Sequence, residues 1–280
     1  MADNWKTLVR LLRIYGKMDL IWSLRDMRYF LLQFFSDAAA ALSSVAGMYL
    51  LADRFGGLAG MTEPELLFLL GYGTLVDGVY LLLFANSNVG EMSRIIGRGQ
   101  LDHSLIQPVP LPIQFLTEGF APISGSSVLL CGAALTASAV HRLGIRWNVQ
   151  LTASLLFGIL CSCAVVFSCV LIVSCLAFRA PAAAEEIAGV ARSLFSALKS
   201  YPLGGLPAQM RLLFCTLVPV GLAAWVPSLT LLGKSGSVRF PFSTAAGAAV
   251  FVLLAVFLFR KGMIHYEKYG SPRYSGFGFR

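Results

Sequence analysis

The sequence predicts an all-α polytopic membrane helix bundle, and three observations carry that reading. Hydrophobic residues fill 57% of the 280 positions and charged residues only 13%, about half the charge of an ordinary soluble domain. The apolar residues form several runs long enough to cross a hydrocarbon core of about 30 Å as helix. Basic residues gather at the chain ends and in short connections, where they set membrane orientation.

Composition also excludes other classes. The formal charge of +8 does not point to nucleic acid, because no aromatic-interleaved basic surface accompanies it. Cys131, Cys161, Cys163, Cys169, Cys175 and Cys215 all lie in apolar stretches, where thiols act as small hydrophobes rather than disulfide partners or metal ligands. Residues 1–28 lack an apolar core followed by a small-residue cleavage site, so no cleavable signal peptide is expected.

Residues 1–28 read as a cytoplasmic amphipathic helix. Lys6, Arg10, Arg13 and Lys17 recur at helical spacing opposite Trp5, Leu8, Leu12 and Tyr15, a pattern that lies in the membrane interface or packs on another subunit. The first span is 29–52, and its Ala39, Ser43 and Gly47 predict a close helix-packing face within the subunit or between subunits. Asp53, Arg54, Gly56 and Gly57 end it. Thr62 and Glu65 form a capping box opening the second span, 65–86. The third and fourth spans, 113–140 and 149–178, are joined by a polar turn from His141 to Asn148. The last span, 243–259, is stopped by Arg260 and Lys261, which begin the tail 260–280.

The fifth span is ambiguous. Glu185, Glu186, Arg192 and Lys199 interrupt an apolar stripe of Ile187, Val190, Leu194 and Leu198, while the more apolar run 212–233 is broken by Pro219 and Pro227. One of the two is expected to be re-entrant or packed, because non-helical backbone at membrane depth must be protein-buried or face water. Basic residues at both ends put both termini in the cytoplasm, so the number of crossings is even and six fits.

Little in the chain could carry catalysis. Gly233-Lys234-Ser235 imitates the end of a phosphate-binding loop, but Ser228 stands where glycine is required and no strand precedes it. No catalytic or metal-binding set is expected, and any nucleotide chemistry must come from another chain. Asp37, Asp77 and Glu118 lie within or near spans, where a carboxylate is costly unless paired or hydrated. They are expected to line a substrate path or to make structural bonds in the bundle, or, for Glu118, simply to sit at the interface.

The connection 87–112 is too elaborate for a turn. Gly97 and Gly99, a short helix-forming stretch, and Pro108 and Pro110 make a compact element in which Asp102 can cap and Leu105 and Ile106 can dock a partner's groove. An ordinary interfacial helix is the plainer reading.

In that register Gly99, Leu101, Asp102, Leu105, Pro108 and Pro110 resemble the connection after the second span of ABC-2 type permeases. The stretch Tyr201-Pro202-Leu203, Leu206-Pro207, Met210-Arg211, Pro219, Trp225, Pro227 and Leu231-Leu232-Gly233 is similar to the family's external re-entrant helices. The resemblance implies a permease subunit, paired with an identical or homologous permease over a dimer of ABC ATPase subunits that hold ATP and Mg. It implies export across the bacterial inner membrane, 184–203 as fifth span and 204–240 as an external re-entrant segment. It also implies an ATPase-coupling role for Arg94, Arg98, Gly99, Leu101, Asp102, Leu105, Ile106 and Pro108. The implied fifth span is unusually polar, and Arg192 and Lys199 share one face of it. With Asp37 and Asp77 they are the candidate translocation path. The alternatives are an ion-coupled secondary transporter, for which no internal repeat is visible, and a lipid-processing membrane enzyme, for which His103, His141 and His265 are too isolated.

Overall fold

Helix boundaries follow from local chemistry. In the computed structural model, which describes residues 2–84, 95–96, 99–234 and 243–270, α1 (Ala2–Arg25) passes into α2 (Met27–Phe55) through Asp26. The Asp26 carboxylate accepts from the Tyr29 amide at 3.2 Å, satisfying one of the orphan donors of the first turn. Gly56, with φ 66°, closes α2 in the left-handed region that glycine adopts without a Cβ penalty. The Glu65 half of the expected capping box is present: the Thr62 amide donates to Glu65 Oε2 at 2.9 Å as α3 (Glu63–Phe84) begins.

The chain continues through α4 (Leu101–Leu105), α5 (Leu111–Thr117), α6 (Ser126–Arg142) and α7 (Val149–Ser174), extended by a 3₁₀ turn over Cys175–Phe178. Then come α8 (Pro181–Lys199), α9 (Ala208–Thr216), α10 (Val220–Ala223), α11 (Trp225–Leu231) and α12 (Ser243–Tyr269). Among the described residues every regular element is helical, apart from one bridge between Leu58 and Met61. Among the described residues four helices are long and apolar enough to cross a membrane: Met27–Phe55, Glu63–Phe84, Val149–Phe178 and Thr244–Tyr269.

Two expectations differ from this arrangement. The run 113–140 is not one helix: α5 stops at Thr117 and α6 starts at Ser126, because Pro122 in between lacks a donor and clashes with a preceding turn. The last helix does not end at Phe259 but runs to Tyr269, since Arg260 and Lys261 limit the apolar run without breaking helix. The alternative fifth span, 212–233, is divided among α9, α10 and α11, with Pro219 at the first break. The other candidate, 184–203, is helical as α8, which ends at Lys199 shortly before Pro202.

α3 is the central helix. Leu66, Phe68, Leu69, Leu70, Tyr72 and Val76 are all buried, and one side of the helix meets α6 backbone to backbone. A Cβ on Gly71 would lie 2.7 Å from Thr136 N, one on Gly78 2.4 Å from Leu129 Cα, and one on Gly132 2.5 Å from Leu75 N. Gly71 with Gly78, and Gly125 with Gly132, are spaced by one heptad, which keeps each pair on a single helix face. α7 is tied to α3 through Tyr72 and Ser162, whose hydroxyls are 2.9 Å apart.

By contrast α2 stands at the margin. Ala39, Ser43 and Gly47 are exposed, and nothing would meet a Cβ on Gly47 within 4 Å. The close helix packing expected of that stripe within the subunit is made instead by the glycines of α3 and α6. At the other end of the order, Gly262 of α12 lies under the Phe178 ring, so close that an added Cβ would fall 2.1 Å from Phe178 Cδ2.

Candidate functional site

Five helices each turn one face toward a shared cavity of about 570 Å³. From α2 come Gln33 and Asp37, one turn apart; from α3, Asp77 and Tyr80; from α7, Val166 and Val170. α6 contributes Ser127 and Val128 from its first turn, and α8 contributes Arg192, Phe195, Ser196 and Lys199. These spacings of three, four and seven put each set on one stripe of its helix. The floor is the break before α6, where Ser124 and Gly125 reach the cavity.

All four residues expected to line a translocation path are therefore gathered here, although they come from three separate helices. Lys199 and Asp77 form an ion pair. The Lys199 side chain is 2% exposed and that of Asp77 37%, so the carboxylate faces the cavity and the ammonium lies behind it. Lys199 also closes α8, where the C-terminal carbonyls favour a cation. Asp37 and Arg192 make no ion pair among the described residues. The buried hydroxyls of Tyr80 and Ser127 have no hydrogen-bond partner there either, and both oxygens are closed off from the cavity, behind its lining. Glu118, the third carboxylate weighed from sequence, does not reach the cavity and lies at the end of α5.

The second candidate region is the segment around α4, which has an inner and an outer side. Ile95, Ile96 and Leu101 are buried in a cluster with Phe115, Leu171, Phe178 and Tyr266. Leu105 is 42% and Ile106 80% exposed. Asp102 was expected to cap the short helix, but Gln100 occupies the N-cap without a side-chain bond. The Asp102 carboxylate instead accepts from Tyr266 Oη of α12 at 2.8 Å. The buried Gln114 side chain donates to the carbonyls of Ser104 at 2.9 Å and Val109 at 2.6 Å, which closes the turn between α4 and α5. Gly99 takes φ 68° and Pro108 is exposed. Arg94 and Arg98 lie outside the described residues.

Residues 39–270 match a family described as ABC-2 family transporter protein. The chain belongs to the ABC-2 transporter family. No curated protein and no solved structure matches it significantly. With its apolar helices, this ABC-2 transporter is an integral membrane protein of the permease type.

Some structural residues of this ABC-2 transporter were not singled out from sequence. Tyr266 lay in what read as a tail, and only its place on a continuous α12 brings it to Asp102. At the Glu63 end of α3, Arg142 Nη1 donates to Glu63 Oε1 and to Tyr49 Oη, both at 2.8 Å, and Tyr49 bonds Glu63 in turn. Lys234, part of the imitation phosphate loop, donates to Glu65 Oε2 at 2.6 Å and so joins α3 to the end of α11. The heptad glycines were visible as a pattern, but a pattern on one helix does not say which helix it meets.

Proposed function

We propose that this ABC-2 transporter is the permease subunit of an exporter driven by ATP hydrolysis on a separate ATPase dimer, which holds the ATP and Mg. In this reading the permease pairs with an identical or homologous copy in the bacterial inner membrane, with both termini cytoplasmic. Six crossings result if α5 with α6 serves as the third and the polar α8 as the fifth, and 204–240 forms an external re-entrant segment. The cavity among α2, α3, α6, α7 and α8 is then the mouth of the translocation path. α4 with Leu105 and Ile106 receives motion from the ATPase.

One observation carries the reading: Asp37, Asp77, Arg192 and Lys199, spread over more than half the sequence, converge on one cavity. Intramembrane charge gathered around a cavity marks a path for polar cargo, and the volume lies within the range that takes drug-sized molecules. A polar α8 is explained at once, since its charged face borders a hydrated space rather than lipid. The second support is the two-sided α4 segment, which is rooted in the bundle through Leu101 and Asp102 and offers two exposed aliphatic side chains to a partner groove.

The test is side-dependent access. On a cysteine-free background, Ser196→Cys in the reconstituted complex is expected to react with a membrane-impermeant maleimide from one side without nucleotide. It should react from the other side when vanadate traps the ATPase. Reaction indifferent to nucleotide would remove the cavity from the path.

A further inference from the structure

α1 has three faces, and each has its own chemistry. The first rests on the break before α6: a Cβ on Gly16 would lie 3.3 Å from the Phe120 ring. On the same face the Asp19 carboxylate accepts from the Ile123 amide at 2.7 Å and the Ser124 amide at 3.2 Å, and also from the Ser124 hydroxyl. Burial, with the Glu118 carboxylate adding to it, raises the Tyr15 phenol above its ordinary pKa. The second face is an open cationic strip on which Lys6, Arg10, Arg13 and Lys17 stand beside Trp5 and Ile14. The third face is apolar and open, with Met18 58%, Ile21 64% and Trp22 47% exposed.

The second face is electrostatically incomplete. Lys6, Arg10, Arg13 and Lys17 follow one another at intervals of three or four, the spacing at which like charges on a helix repel. None of them has an ion-pair partner among the described residues. Four uncompensated cations over three turns call for an anion with several acceptor oxygens, and arginine forks match phosphate oxygens in pairs. The neighbouring apolar face decides which anion. A free phosphate would leave Met18, Ile21 and Trp22 uncovered, whereas a phospholipid places its headgroup on the cations and its chains against them.

We propose that the cationic face of α1 is a binding site for anionic phospholipid headgroups, and that Asp19 passes its occupancy to the cavity. The link is short. Asp19 holds the backbone of Ile123 and Ser124, and Ser124 and Gly125 are part of the cavity wall. A lipid that fixes α1 also fixes this clamp. The consequence for transport rests on the reading of the cavity as the path, but the binding and the clamp do not.

The permease is reconstituted in nanodiscs of phosphatidylcholine with or without phosphatidylglycerol, one of the two brominated, and Trp5 quenching is taken as the difference from Trp5→Phe. Brominated phosphatidylglycerol is expected to quench with at least about fivefold preference at equal mole fraction, since even one cation near an anionic surface is worth on the order of fivefold. The preference is lost when Lys6, Arg10, Arg13 and Lys17 all become Gln. It survives when the four cations are exchanged Lys for Arg and Arg for Lys, and it falls in salt of about 1 M. Hydrogen exchange at the Ile123 and Ser124 amides slows with phosphatidylglycerol in the native chain. In Asp19→Asn the quenching preference remains while that slowing disappears. Equal quenching by the two lipids, displacement by millimolar inorganic phosphate, or amide exchange indifferent to the lipid would overturn the proposal. None of these readouts uses transport, so their failure leaves the permease reading standing, and a failed transport assay leaves the lipid site standing.

Discussion

The Lys199 ammonium, 2% exposed at the end of α8, is paired with the Asp77 carboxylate of α3, 122 positions earlier in the chain. The bond fastens the amphipathic α8 to α3, the most buried of the long apolar helices. Removing one partner of a buried pair strands the other charge, which costs more than the pair itself contributes. Asp77→Asn and Lys199→Met are each expected to lower stability by about 3 kcal/mol, the low end for buried pairs, because Asp77 is 37% exposed. Replacing both with Leu should restore most of that loss, since an apolar pair of similar volume leaves nothing unpaired. Thermal unfolding in detergent separates the cases: a double variant as unstable as the sum of the singles would mean that the two residues are not coupled.

Backbone contact between α3 and α6 makes a sharper stability prediction. Gly78→Ala and Gly132→Ala each force a methyl to within 2.4 or 2.5 Å of backbone atoms. Overpacking of this kind costs about 1–3 kcal/mol, and here the nearest neighbours are main chain, which cannot rotate away. Gly189→Ala on α8 meets open space, so it should be neutral or stabilising by about 0.5–1 kcal/mol as helix propensity returns. Unfolding midpoints of the three variants measure the difference, and a tolerated Gly78→Ala would contradict the close approach.

How far the molecule was legible in its sequence follows from the range of each signal. Gly56 and the Thr62–Glu65 pair act over a turn: the helix runs through Asp53 and Arg54 to end at Gly56, and the next begins directly after Thr62. The four charges of the cavity were legible as a set, because a charge in an apolar run is conspicuous wherever its partner lies. That Asp77 meets Lys199 rather than Arg192 depends on how α8 rotates against α3, which no local pattern encodes. Pro122 was visible too, but apolar residues on both sides disguised a broken element as one span. Tyr266 was missed because charge alone was read as the end of a helix that continues past it.

Orientation can be checked directly. Basic residues at both ends and in the connection around α4 favour the cytoplasm, so single cysteines at positions 10, 100 and 270, on a cysteine-free background, should label only from that side. Position 209, on α9, should label from outside. External reaction at position 100 would invert the arrangement on which the coupling role of α4 depends.

Tyr266 offers a test of transmission without disturbing the docking surface. Its hydroxyl donates to Asp102 at 2.8 Å, and its ring stacks edge-on against Phe178 with centroids 6.2 Å apart. Tyr266→Phe keeps the ring and removes one hydrogen bond, worth about 1 kcal/mol. Binding of the ATPase is expected to be unchanged, while substrate transported per ATP hydrolysed falls severalfold because α4 can then shift without carrying α12. An unchanged ratio would make the bond merely structural.

The outer side of α4 carries the last prediction. Leu101 is buried in the bundle, so the short helix is anchored from within and does not need Leu105 or Ile106 to keep its place. Ile106, 80% exposed, is a large aliphatic side chain in a segment outside the apolar spans, and such a residue gains from burial against a partner. If both fill a groove on the ATPase, Leu105→Asp with Ile106→Asp would bury two unpaired carboxylates on docking, which costs several kcal/mol, roughly a thousandfold or more in affinity. The bundle should be unaffected, because both positions stay in water in the isolated permease. Val149→Asp is the matched control: it is 87% exposed at the first turn of α7, where a carboxylate is favoured by the helix dipole. Co-purification with the ATPase and substrate-stimulated hydrolysis in reconstituted membranes should both be lost in the double variant and retained in the control. Normal association and stimulation in the double variant would remove the reason for treating α4 as the coupling helix, and an ion-coupled transporter would become the better reading.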